Sequence, residues 1–339
     1  MTRTGVVIDP RFLEHDTGRG HPERPQRIAT LLEWLEAAPQ RWRRLKPRHA
    51  TGEEIALVHD GAYVAEVERT RDREWFAFDA DTPTSPLSYE TALLASGAFL
   101  TLLDEIVAGG LDNGFAFVRP PGHHAERAQA MGFCLFNNVA VGAAYLRRRH
   151  GLGRVLVVDW DLHHGNGTQH MFESDPEVLF VSTHQYPFYP GTGAMAEHGR
   201  GDGEGYTVNL ALPGGCGDAV YLDGFRRVIA PIARLYQPDF VLISAGFDAH
   251  ARDPLGGMRL TEDGFRAMTR ELLAIAAEHC SGRCAAILEG GYDLQAIRSS
   301  SAAVLEELSA ATPAATGAAV AAEPVIDAIV RHQQRYWAI

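Results

Sequence analysis

VLVVDWDLHHGN, residues 155–166, decides the architecture. Val155 to Val158 are consecutive branched apolar residues with no polar alternation, the pattern of a strand buried on both faces of a parallel sheet. Six more apolar runs of strand length recur, at 5–8, 115–118, 178–181, 206–210, 240–243 and 285–288. Helical patterns separate them, at about 85–109, 137–150, 218–236, 262–279 and 294–310. Strands alternating with helices predict an α/β domain, a parallel sheet with helices on both faces. Ser85-Pro86 reads as an N-cap and first helical residue, and Thr51 to Glu54 has capping-box spacing.

Five of these runs lead straight into chemistry-bearing segments. RPPGHH (119–124) follows the second run, DWDLHHGN (159–166) the third and STH (182–184) the fourth. SAGFDAH (244–250) and EGGYD (289–293) follow the last two. Ligands of open parallel sheets bind outside the carboxyl ends of the strands, so all five segments fall on the edge where a site is expected. In an extended chain, residues two apart share a side, which puts Asp159, Asp161 and His163 together. A carboxylate and an imidazole at that spacing can hold one cation, with Asp248 as a further ligand, and three protein ligands leave a position open for catalysis. His123 and His124 suit proton transfer near neutral pH. Gly290-Gly291 permits close backbone approach and frees the Tyr292 hydroxyl to donate to a developing oxyanion.

Composition excludes several alternatives. The 339 residues are 46% hydrophobic and 22% charged, values of a globular chain rather than a disordered one. No apolar run reaches membrane-spanning length and no secretory signal stands at the start, so no membrane partner is expected. A net charge of −12 repels phosphate backbones and argues against nucleic acid. The basic run Arg41, Arg43, Arg44, Lys46, Arg48 is expected to be a solvated helix end. Lys46 is the only lysine and follows leucine, which removes a P-loop and makes a Schiff-base enzyme improbable. G-x-S-x-G and H-E-x-x-H are absent. Four cysteines without paired C-x-x-C spacing predict reduced thiols in a cytoplasmic protein.

With these segments assembled, the chain resembles the zinc-dependent histone deacetylase family. RPPGHHA, GFCLFNN, DWDLHHGNGTQ, VSTHQ, SAGFDAH, DPLGGM and EGGYD run in order from 119 to 293, and HPERPQR at 21–27 is similar to the family's N-terminal region. The DWD opening and Asn166 look like the class II branch and its bacterial deacetylase-like amidohydrolases. The resemblance implies the arginase-deacetylase fold, a single domain around an eight-stranded parallel sheet. The catalytic domain would occupy 1–310, with an Ala-rich segment and helical tail at 311–339. One zinc per chain would be held by Asp161, His163 and Asp248. His123 would pair with Asp159 and act electrostatically. His124 would pair with Asn166 and act as base and then acid, and Tyr292 would stabilise the oxyanion. A structural potassium would sit at Asp159 and Ser182 with nearby carbonyls. Gly132, Phe133, Phe188 or Tyr189, and Gly290 would line the substrate tunnel.

The implied activity is hydrolysis of the acetyl amide of acetyl-lysine in peptides or proteins. Acetylated polyamines or other small acetylated amines are the alternative substrates, and an inactive acetyl-binding module is a third reading. A two-manganese ureohydrolase would need more bridging carboxylates than this set supplies. In the resemblance the position after Asp253-Pro254 lies at the tunnel rim, and Leu255 there would offer no charge to a distal ammonium, so acetyl-lysine peptides are the expected preference. The sequence leaves the oligomeric state open.

Overall fold

A computed structural model describes residues 2–37, 41–310 and 321–339. Its strands are β1 (Thr4–Val7), β2 (Arg43–Leu45), β3 (Phe76–Ala77), β4 (Pro83–Thr84), β5 (Asn113–Ala116), β6 (Val155–Asp159), β7 (Val178–Gln185), β8 (Thr207–Leu212), β9 (Phe240–Ala245) and β10 (Cys284–Leu288). Eight form one sheet in the order β2-β1-β5-β10-β9-β6-β7-β8, every pairing parallel. β3 and β4 form a separate antiparallel hairpin. All residues of β5, β6, β9 and β10 are buried, as continuous apolar runs between two helical layers require.

Helices Ser88–Val107 and Asn138–His150 pack together, while Glu262–His279 packs against Leu294–Leu308. Asn137 caps the second of these by accepting the Ala140 N–H, and Gly151 closes it at φ 68°. The Thr51 capping box is complete, with Thr51 and Glu54 each accepting the other's N–H. Helix Pro324–Gln333 lies along β8, tied by Asp327 to Arg227, and Trp337 Nε1 donates to the Gly205 carbonyl at 2.8 Å. Among the described residues, no helix is long and apolar enough to cross a membrane. Residues 311–320 of the Ala-rich stretch lie outside the description.

The structure corrects four local expectations. The basic run is not a helix end: it contains the edge strand β2, and acids pair with its cations, Glu105 with Arg43 and Glu54 with Arg48. The run at 115–118 is displaced, since β5 spans Asn113–Ala116 and pairs Asn113 with Thr4. Ser85 does not cap a helix by the usual side-chain bond. The helix begins at Ser88, whose hydroxyl accepts the Ser85 N–H. The pattern at 218–236 is interrupted by one π-helical turn, Phe225–Ile229.

Candidate active site

Four neighbouring central strands, β5, β10, β9 and β6, end on one edge of the sheet and carry the site. Loops after β6 and β9 bring Asp161, His163 and Asp248 together, their ligand atoms all within 4.8 Å of one another. His163 Nδ1 lies 3.1 Å from Asp161 Oδ1 and 3.1 Å from Asp248 Oδ2. Burial opposes a charge on this imidazole, yet the two carboxylates push it up to about 10. The pocket therefore demands positive charge at this point. Two glycines make room for the carboxylates. A Cβ at Gly246 would come within 2.0 Å of Asp161 Oδ2, and one at Gly290 within 2.2 Å of Asp248 Oδ2. Gly290 N–H also donates to Asp161 Oδ2 at 2.8 Å.

Asp159 does not face this cluster, although the two-residue spacing suggests it. Its Oδ2 meets His123 Nδ1 at 2.9 Å and its Oδ1 accepts the Asp161 N–H at 3.0 Å. Burial works against a charge on His123, but Asp159, Asp161 and Glu289 outweigh it and push this histidine up to about 10. His124 has the opposite fate. Its burial and the charges of His123 and His163 hold it well below the ordinary histidine range. His124 Nδ1 donates to Asn166 Oδ1 at 2.7 Å. Asn166 Nδ2 donates to the Glu126 carboxylate, so the amide oxygen must face His124, and the histidine keeps its Nε2 lone pair free.

A cavity of about 220 Å³ opens above these groups, lined by His123, His124, Gly132, Phe133, His163, Phe188, Tyr189, Leu255, Gly290 and Tyr292 with Asp81 and Pro121. The sequence left Phe188 and Tyr189 as alternatives for the wall; both line it, at 37% and 39% exposure. Phe188 stacks on His163, and Tyr189 stands edge-on to His124. Gly132, at φ 55°, has no room for a side chain, because a Cβ would meet His124 at 2.5 Å. Tyr292 lines the cavity beneath the Arg27 guanidinium, 5.0 Å from its ring centroid. Burial and the neighbouring Asp248 raise its pKa, so the phenol stays protonated as a donor. Ser182 lies opposite Asp159 in the β6–β7 register, and its hydroxyl meets His184 Nδ1 at 2.9 Å.

Three contributors escaped the sequence reading. Glu289 is buried beneath the His123 loop and accepts the N–H groups of Gly122 and His123, at 2.6 and 3.1 Å, and the Ser244 hydroxyl. Asp253 accepts the Tyr292 and Asp293 N–H groups and so seats the tyrosine. Both stand inside quoted motifs, but only the fold shows whom they serve. Asp81, from the β3–β4 turn, lines the same cavity as Leu255 and adds an acidic residue that the sequence reading did not place there. Its only sequence signal is the acid pair of DAD at 79–81.

An eight-stranded parallel sheet with this edge-on pocket is the arginase-deacetylase fold, and the class it defines is a hydrolase. A family model described as the histone deacetylase domain matches residues 21–308. The chain belongs to the histone deacetylase family. It is 41% identical to "Histone deacetylase 15" of Arabidopsis thaliana, over 98% of this chain and 62% of that protein. It is 43% identical to "Polyamine deacetylase HDAC10" of Homo sapiens, over 82% of this chain and 43% of that protein. The chain thus spans less than two thirds of either relative. A solved structure, "Crystal Structure of HDA15 HD domain", superposes with a TM-score of 0.92 at 41% identity, covering 99% of this chain and 95% of that one.

Proposed function

We propose that the protein is a zinc-dependent deacetylase that hydrolyses the acetyl amide of acetyl-lysine in peptides or proteins. One observation carries the reading: the Asp161, His163 and Asp248 donors converge at the base of a cavity that His124 and Tyr292 also line. Two carboxylates and an imidazole, all buried, match the donor set and charge of a catalytic zinc site with an open position. A zinc ion held there would polarise the acyl carbonyl and lower the pKa of water.

The chain's own residues supply the rest. His124, neutral with its Nε2 free, takes the proton of the attacking water and returns it to the leaving amine nitrogen. His123, cationic against Asp159, favours the negative charge that develops beside it. The Tyr292 hydroxyl donates to the oxyanion. Phe133, Phe188 and Tyr189 enclose the aliphatic stem of the substrate and exclude water. A structural potassium at Asp159 and Ser182 belongs to the same proposal, supported by the adjacency of those side chains across β6 and β7. A cytoplasmic location is supported by four buried free thiols.

Acetylated polyamine is the second substrate reading, favoured by the Asp81 carboxylate at the mouth and by the likeness to the human polyamine deacetylase. The apolar Leu255 on the same rim supports the peptide reading. Metal analysis of purified protein should find one zinc per chain. Turnover of acetyl-lysine peptides should exceed that of acetylspermidine at matched concentration. Two manganese ions, or no hydrolysis of either substrate class, would refute the proposal, and a preference for acetylspermidine would promote the second reading.

A further inference from the structure

The two histidines of the loop after β5 receive negative charge in different ways. Asp159 touches His123 directly, its Oδ2 2.9 Å from Nδ1. His124 meets the neutral amide of Asn166, and behind that amide stands the Glu126 carboxylate. Asn166 is buried and opens the helix Asn166–Phe172. Its Nδ2 donates to Glu126 Oε1 at 2.6 Å. One turn along the same helix, His170 Nδ1 donates to that same oxygen at 2.8 Å. The backbone of Glu126 is fixed on both sides: its N–H donates to the Gln129 carbonyl at 2.9 Å, and its carbonyl accepts His59 Nδ1 at 2.9 Å. Four side chains thus form one line, His124, Asn166, Glu126 and His170, from the cavity to an imidazole that is 38% exposed. The bond to Glu126 raises the pKa of His170 against its partial burial, so the outer end of the line favours a cation.

An amide can present either its oxygen or its NH2 group to a histidine. With the oxygen toward His124, Nδ1 carries the hydrogen and Nε2 keeps the lone pair that base catalysis needs. With the NH2 group toward it, the lone pair moves to Nδ1 and Nε2 carries the hydrogen. A carboxylate only accepts, so Glu126 selects the first orientation. The His124 carbonyl, at 3.3 Å, and Met131 Sδ, at 3.4 Å, face the same Nδ2 and act more weakly in the same sense.

We propose that Glu126 is a positioning residue for the deacetylation reaction: acting through Asn166, it fixes the His124 tautomer that takes a proton at Nε2, and it supplies from one residue further out the negative charge that the amide lacks. The inference rests on the deacetylase reading and extends its proton-transfer machinery to a residue that touches no reacting atom. Loss of Glu126 acts on the chemical step, which appears in kcat, rather than on substrate binding.

The test compares wild type, E126M, E126Q, N166D and the N166D/E126M pair on one acetyl-lysine peptide, reading kcat, KM, zinc content and thermal midpoint. Nitrogen NMR of histidine-labelled holoenzyme reads the His124 tautomer. E126M keeps the length and removes the acceptor. It should lower kcat about tenfold with KM within about twofold, as loss of a hydrogen bond to a charged group that serves only the chemical step does. His124 should then show a mixture of tautomers in place of the single Nδ1–H form. E126Q keeps an oxygen for Asn166 and should retain kcat to within about threefold of wild type. N166D has no amide to orient and sets a second carboxylate against Glu126, so removing Glu126 should now help, and N166D/E126M should turn over faster than N166D. If E126M does not fold, E126A carries the same expectations, and if N166D is inactive, the His124 tautomer in E126M decides. Wild-type kcat in E126M, a rise in KM alone, E126Q as impaired as E126M, an equal loss of kcat on adding E126M to N166D, or a single Nδ1–H tautomer in E126M would each overturn the inference. If zinc-loaded wild type hydrolyses no acetylated substrate, the deacetylase reading fails and the inference with it. A competent wild type with an unaffected E126M defeats the inference alone.

Discussion

The base and the mouth of the cavity are built in different ways. At the base, Asp161, His163 and Asp248 stand just past the ends of β6 and β9, and His123 and His124 lie on a loop tied down by Glu289; each is at most 9% exposed. Sheet hydrogen bonds and glycines that leave no spare volume hold these groups in place. At the mouth, Asp81, Phe188, Tyr189 and Leu255 ride on loops, and the two aromatics are more than a third exposed. Rigid strand ends suit chemistry that tolerates little displacement, whereas loops can vary without disturbing it. Substitutions at the base should therefore change metal content or kcat, and those at the mouth should change KM and substrate preference.

The largest expected effect tests the base. Asp161→Asn should lose zinc and turnover together, because a neutral amide is a poorer ligand. Elemental analysis showing full zinc with normal turnover would break the comparison at its root. His124→Ala should follow, lowering kcat by about 10²–10⁴, the range for a lost general acid–base group. His123→Ala should retain more turnover, since that histidine is assigned an electrostatic role rather than proton transfer. The reverse ranking in single-turnover rates would exchange the two roles. Tyr292→Phe should lower kcat by about 10²–10³ with little change in KM, since oxyanion contacts act on the transition state. A change confined to KM would move Tyr292 from the chemistry to binding.

The smallest effect lies at the mouth. Leu255→Glu should shift kcat/KM from acetyl-lysine peptide toward acetylspermidine by about 1–2 kcal/mol, the size of one partly exposed charge contact, with zinc content unchanged. The shift should be smaller in a D81N background if the two rim positions act on the same ammonium. Loss of zinc in Leu255→Glu would show that the two ends are not separable.

The base was far more legible in the sequence than the mouth. Asp161 and His163 follow a recognisable buried strand, and DWDLHHGN, SAGFDAH and EGGYD keep their ligands and tyrosine at short range from a strand end. Local pattern therefore carried that reading. The edge strand β2 has only three residues, two of them arginines with exposed side chains, so no apolar period marks it. Its existence depends on the partner β1 alone. Asp159 was misplaced for a related reason. Alternation along an extended chain says which residues share a side, but Asp159 is the last residue of β6, and beyond it the alternation no longer holds.

The sequence by itself determined the open parallel α/β class, the segments that meet at its carboxyl edge, and the residue types able to bind a cation and move protons. These follow from periodicity and spacing, which act over a few residues. The family resemblance already implied which imidazole carries the charge, through the Asp159 and Asn166 partners, and tertiary structure alone added the buried Glu289 against the His123 backbone. It alone placed Asp81 on the same cavity as Leu255 and joined the Thr82 hydroxyl to the Phe133 N–H, across 51 residues of chain. Electrostatics and hydrogen bonding depend on distance in space, and chain spacing does not report that distance.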